Sequence, residues 1–212
     1  MNKVILASAS QGRFNTLKNA GITPSILTPN LNESLLIEKA ENSIKRKLKT
    51  REQVLLLAHA KGIAAIKQLK DNKSSILIAG DSLFEFEGEV FGKPENIKIA
   101  KSRIKQMTGK TGTLYSGLFV YNIKSKKSKT VLSSAKVTLG VLDDEEIDSY
   151  LATGESLKVA GGFTVDALGG PYIDAISGDY HTVIGLPLPK LRYTLKELGV
   201  KWSSILDDIV LR

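Results

Sequence analysis

Ser8, Ser10, Arg13, Lys61, Asp81 and Lys93 are the residues of this chain whose type and placement could do chemistry. The first three lie in KVILASASQGRFNTL, where the apolar run Val4-Ile5-Leu6 predicts a buried strand, Ser8-Ala9-Ser10 a tight turn, and Phe14 and Leu17 a helix. Ser10 is placed to cap that helix, its hydroxyl accepting a first-turn N–H. Orphan N–H groups, the positive end of the helix dipole and Arg13 one turn in make a seat for an anion. A capped helix after an edge strand also explains the pattern without any ligand, and such turns are common in α/β folds. Asp81 directly follows the uniformly apolar Ile76-Leu77-Ile78, as a side chain would at the C-terminal end of a central strand, where open α/β sheets place ligands. A turn-forming role after Gly80 fits that stretch equally well. Lys61 stands among Leu57, Ala58, Ala64 and Ala65 at helical spacing; it either snorkels to water or reaches an anion on the inner face. Lys93, between Gly92 and Pro94, sits in a stiff turn.

The elements that must position these residues alternate between strand and helix. A short strand is expected at 24–28, then a polar loop holding Glu33, then a charged stretch over 34–50 read as a short helix or flap. Thr50 with Gln53 has capping-box spacing, and a helix is predicted from Arg51 to Lys70. A strand from Ser74 leads into the hairpin-like LFEFEGEVFGKP, followed by a helix over Ile97–Met107 closed by Gly109. Two long strands, 112–122 and 130–141, flank a lysine-rich turn. Asp143 with Glu146 opens another helix that Gly154 ends. The glycine-rich VAGGFTVDALGGPYID carries Asp166; it either allows close approach of a ligand or is only a packed turn. The last full helix is expected at 190–198, with a short tail helix near Ile205 and Ile209.

Composition narrows the function classes. At 212 residues, 42% hydrophobic and 25% charged, the chain can form one large α/β domain or two small lobes. It has no 18-residue apolar run and its N-terminal apolar run is too short for a signal peptide, so no membrane partner is expected. The absence of Cys fits a cytoplasmic location. The net charge of +8 favours polyanions, with basic clusters at Lys45–Arg51 and Lys124–Lys129, but aromatics are too sparse there for a nucleic-acid stacking platform. His59 and His181 have no zinc-ligand spacing, no GxxxxGK[ST] loop is present, and Ser8 and Ser10 lack a nucleophile-elbow context.

Taken in order, SAS-x-x-R after the first strand, Glu33 in a P-x-x-x-E loop, Lys61 in the long helix, GDS, and G-E-x-x-GKP form a specific set. The chain resembles the Maf family of nucleoside triphosphate pyrophosphatases, from Val4 to about Val200; ATGES, the glycine-rich stretch and VIGLPL match as well. The resemblance implies a single α/β domain over 1–212, an elongated mixed sheet with flanking helices, and two lobes around a central cleft. It implies hydrolysis of nucleoside triphosphates, including modified ones, to monophosphate and pyrophosphate, with a divalent metal (Mg²⁺ or Mn²⁺), and it suggests a homodimer. By position, Asp81 would bind metal or activate water, and Glu33 would join the metal site. Ser8, Ser10, Arg13, Lys61 and Lys93 would meet the phosphates, with Ser82 and Asp166 completing the substrate set.

The chain departs from the family pattern at Gly12, where an arginine is usual, at Asn32, where a second acid is usual, at Ser82 for a threonine, and at Asp166 for a glutamine. Gly12, Ser82 and Asp166 bear on which base is preferred. The chemistry has a physical logic: attack on an α-phosphorus requires charge screening, which Arg13, Lys61 and Lys93 supply, and Asp81 and Glu33 offer the hard oxygens Mg²⁺ takes. Two alternatives stand beside this reading. One is a non-catalytic regulator of division that binds nucleic acid through the basic cluster; the other is a nucleotide sensor weakened by Gly12 and Asn32.

Overall fold

The computed structural model describes residues 3–69 and 74–207. Its seven strands are β1 (Lys3–Ala7), β2 (Ser25–Ile26), β3 (Ser74–Phe86), β4 (Glu89–Phe91), β5 (Thr111–Asn122), β6 (Lys127–Leu139) and β7 (Ile173–Ser177). They form one mixed sheet in the order β2-β1-β3-β5-β6-β7, with β4 also on β3. β1 is parallel to β2 and β3, while β4 is antiparallel to β3 and β7 to β6. The helices are α1 (Gln11–Asn19), α2 (Glu33–Ile44), α3 (Thr50–Lys67), α4 (Ile97–Met107), α5 (Asp144–Ala152), α6 (Tyr180–Ile184) and α7 (Leu188–Glu197). The expected mixed α/β sheet is therefore present. No helix among the described residues is long and apolar enough to cross a membrane.

The chain divides into two compact units, with β3 passing from one to the other between Asp81 and Ser82. The first takes the described residues of Met1–Asp81, Ser116–Ser133 and Gly185–Arg212. Its core follows strand parity, since successive side chains point to opposite faces. Val4, Leu6, Ile76, Ile78, Leu118 and Val120 pack with Leu17 of α1 and with Leu191 and Leu195 of α7. The alternate positions Ile5, Ala7, Leu77, Ala79 and Phe119 pack with Ala58 and Ala65 of α3. Small residues bring α3 close to β5. An added Cβ on Gly62 would lie 2.1 Å from the Phe119 ring, and one on Gly117 would lie 2.2 Å from the Val54 carbonyl oxygen.

The second unit comprises Ser82–Tyr115 and Ser134–Ile184. Phe84, Phe91, Ile104, Met107, Val137, Ile147 and Phe163 belong to its core. The Phe84 and Phe163 rings meet edge-on at 5.1 Å, and Gly112 leaves the space Phe84 fills. The expected hairpin forms between β3 and β4, turning through Glu87 and Gly88 at positive φ of 49° and 83°.

Several boundaries differ from expectation. Of the two readings of the charged stretch, the helix is the one that forms, over Glu33–Ile44, and Glu33, expected in the loop before it, is its first residue because the Asn32 side chain caps the helix by accepting from the Leu35 N–H at 3.0 Å. α3 starts at Thr50, capped not by a Thr50–Gln53 box but by Glu52, whose carboxylate accepts the Lys49 N–H at 2.8 Å. The Asp143–Glu146 box forms as expected. The tail turn spans Trp202–Ile205; Lys70 and Ile209 lie outside the described residues.

Candidate active site

Parity along β3 sets the geometry. Asp81 shares the face of Leu77 and Ala79, the face α3 covers. On α3, Lys61 follows Ala58 by three positions and precedes Ala65 by four, so it lies on the stripe that packs against that face. The Lys61 ammonium accordingly reaches Asp81 Oδ1 at 2.5 Å. It also meets Glu33 Oε1 at 2.9 Å, at the first residue of α2. Asp81 is buried, its side chain 9% exposed; Lys61 is 17% exposed and Glu33 47%.

Asp81 is not at the end of its strand, as the sequence suggested, but in the middle of a 13-residue one. Its parallel neighbour β1 stops at Ala7, paired with Ala79, so the sheet is open beside Asp81 although β3 itself continues.

Gly80 points to the opposite face, where α1 lies. An added Cβ there would come within 3.3 Å of Arg13 Nε, so the glycine admits the arginine. Arg13 is buried; its Nε donates to the Gly185 carbonyl at 2.9 Å and its Nη1 to Ser8 Oγ at 3.0 Å. Burial lowers the guanidinium's pKa, and the fields of Asp81 and Glu33 push it back up. Ser10 caps α1 by accepting from the Arg13 N–H, as expected, while its own N–H donates to Ser8 Oγ at 3.2 Å. One N–H of that turn is therefore committed within the protein. Ser8, Arg13, Glu33, Lys61 and Asp81 all belong to the first unit, Lys61 paired with both carboxylates and Arg13 within their field.

The remaining expected site residues belong to the second unit. Ser82, next after Asp81, points to the other face of β3. Lys93 is exposed in the turn after β4, which Arg103 steadies by donating to the Gly92 carbonyl at 2.9 Å. Asp166 is exposed in the glycine-rich loop, near enough to Tyr180 that its charge, after burial, helps raise the phenol's pKa.

Glu155 is a residue the sequence reading missed. Its carboxylate accepts from Thr164 Oγ1 at 2.5 Å, the Gly169 N–H at 3.0 Å, the Leu168 N–H at 3.2 Å and the Tyr150 hydroxyl at 3.2 Å. It ties together both ends of the loop that carries Asp166. Burial alone would raise its pKa, but the bonds from Thr164, Leu168, Gly169 and Tyr150 hold it below the ordinary glutamate value. Its contribution to stability is therefore full above the ordinary range and drains as pH falls toward the lowered value. Glu155→Gln is expected to lower the melting temperature at neutral pH and to flatten its acid-side decline. Parallel melting curves from pH 7 to pH 3 in mutant and wild type would contradict this. Only the T-G-E sequence after α5 could have hinted at such a role.

Gly185 was missed too, since its carbonyl, which accepts from Arg13 Nε and Ser116 Oγ, leaves no trace in side-chain chemistry. The basic stretch at 45–51 is partly neutralised within the protein, with Arg46 paired to Glu52 and Lys47 to Glu41, both at 2.7 Å. No group of three or more His, Cys, Asp or Glu side chains able to hold a metal occurs among the described residues. Asp81 and Glu33 supply two carboxylates converging on one cation, and one or two suffice for Mg²⁺ bound together with phosphates.

Residues 3–198 match the family described as Maf-like protein. A nucleoside triphosphate pyrophosphatase of Salinispora tropica is 38% identical over 205 residues, covering 96% of this chain and 87% of the relative. One of Streptomyces avermitilis is 38% identical over 199 residues, covering 93% and 91%. A dTTP/UTP pyrophosphatase of Clostridium tetani is 35% identical over 196 residues, covering 92% and 97%. With the match over residues 3–198 running through β1, the Ser8 turn that follows it, α3 with Lys61 and β3 with Asp81, the chain belongs to the Maf family.

Proposed function

We propose that this protein hydrolyses nucleoside triphosphates to the monophosphate and pyrophosphate. The observation that carries the proposal is the meeting of Lys61 with Asp81 and Glu33 beside buried Arg13, in a chain whose relatives are named as pyrophosphatases. Water attacks the α-phosphorus, the bond from that phosphorus to the bridging oxygen breaks, and pyrophosphate leaves with the electron pair. Asp81 and Glu33 would hold a divalent metal, which when bound screens phosphate charge and acidifies water. The Asp81 carboxylate orients the attacking water and takes its proton. Lys61 and Arg13 neutralise the charge that grows on the departing pyrophosphate. Burial of Asp81 and Arg13 keeps that electrostatic environment poorly screened. Asn32, standing where a second acid is usual, instead caps α2 and so fixes where Glu33 begins the helix.

Asp166 meets the base in this reading. A carboxylate only accepts hydrogen bonds, whereas glutamine both donates and accepts. The base preference is therefore expected to differ from that of the relative named for dTTP and UTP. Pyrophosphate release measured across canonical and modified triphosphates, with Mg²⁺ and Mn²⁺, tests the proposal. Turnover is expected with metal and lost with a chelator. Salt-sensitive binding to DNA or RNA with no turnover of any triphosphate would overturn it.

A further inference from the structure

The ammonium of Lys61 holds one oxygen of each carboxylate expected to bind metal, Asp81 Oδ1 at 2.5 Å and Glu33 Oε1 at 2.9 Å. We infer that Lys61 is a placeholder for the metal, so that the protein takes the metal–triphosphate complex as its substrate and binds the free metal ion poorly. This rests on the pyrophosphatase reading and deepens it.

A divalent ion approaching Asp81 and Glu33 meets an ammonium already within ion-pair distance of both, and the repulsion of cation by cation acts where Lys61 and Asp81, though not Glu33, are largely shielded from water. Displacing Lys61 leaves its charge in a half-buried position with no carboxylate to itself, and Arg13, buried nearby and committed to Ser8 and Gly185, is a second cation. A lone metal ion offers Lys61 no new partner. A metal–triphosphate complex does, because the phosphate oxygens accept the ammonium as the carboxylates release it. The lysine thus exchanges carboxylate for phosphate in the step that admits the metal. Metal and triphosphate affinities are thereby coupled positively, and by linkage the coupling is reciprocal.

Glu33 is the more exposed carboxylate and sits on α2, none of whose residues is buried, so the Glu33 half of the grip is the half that opens with least disruption of the core.

The test is a titration of the purified protein with Mn²⁺, followed by the electron paramagnetic resonance of free ion, with and without a triphosphate whose α–β bridge is methylene and resists cleavage. Wild type is expected to bind Mn²⁺ weakly alone and about tenfold or more tightly with the analogue. Lys61→Met, which keeps the stem and removes the charge, is expected to bind Mn²⁺ about tenfold more tightly than wild type without the analogue, and to gain less when it is added. Lys61→Gln provides a second neutral variant should Lys61→Met fail to fold. Mn²⁺ affinity in a folded neutral variant that equals or falls below wild type overturns the inference. Pyrophosphate release by wild type, measured separately, tests the underlying reading, so the two can fail independently.

Discussion

Asp81→Asn is expected to lower pyrophosphate release by about 10²–10⁴-fold, the range a positioned general base contributes, while the protein stays folded. Asparagine has nearly the same shape and its amide oxygen can still accept from the Lys61 ammonium that now lies 2.5 Å from Asp81 Oδ1. What it loses is the negative charge. A neutral amide neither takes a proton from water nor binds a hard cation as a carboxylate does. Breaking a buried ion pair by removing one charge is costly in general, but Lys61 keeps Glu33 at 2.9 Å and is partly exposed. The loss of stability is therefore expected to be modest, about 1–3 kcal/mol. A thermal melt and a pyrophosphate assay on the same preparation separate the two effects. A folded mutant that releases pyrophosphate at a near-normal rate would remove Asp81 from the chemistry.

How Asp81 and Lys61 come together was partly legible in the sequence. Both stood out as charges amid apolar neighbours, and period-two alternation along Ile76–Asp81 with helical spacing on Ala58, Lys61 and Ala65 is enough to aim one at the other once the helix covers that face. The uninterrupted run of β3 through Asp81 was not legible, because Gly80-Asp81-Ser82 reads as a turn, and what keeps it extended is pairing with strands distant in sequence. The start of α2 at Glu33 was also missed. Asn32 registered as a missing acid, when its side chain was serving the Leu35 N–H. The Glu155 clamp, too, depends on a loop folding back over thirteen to fourteen residues to offer Leu168 and Gly169, a closure no local pattern announces. Side chains that carry charge were found because charge among apolar residues is conspicuous; the carbonyls and glycines that hold them were not.

Those glycines lead to the second large effect. Gly117→Ala, a change of one methyl group far from any reactive atom in chemical character, is expected to destabilise the protein by about 3 kcal/mol and to reduce pyrophosphate release by about 10²-fold in the fraction that folds. The added Cβ would sit 2.2 Å from the Val54 carbonyl oxygen, about 1 Å inside the closest ordinary approach. The obstacle is backbone, so no rotamer change relieves it, and α3 must move off β5. Lys61 travels with α3 while Asp81 stays on β3, and a contact of 2.5 Å does not survive a helix displacement of that size. The same Cβ would lie 3.1 Å from Ala58 Cβ, which gives the prediction its control. If the Ala58 side chain were the obstacle, Ala58→Gly would rescue Gly117→Ala. Because the Val54 carbonyl is the closer atom, the double mutant is expected to melt no higher than Gly117→Ala alone. A melting temperature restored to wild type by Ala58→Gly would show that α3 is held off by its side chains, and that the backbone contact between α3 and β5 does not set the position of Lys61.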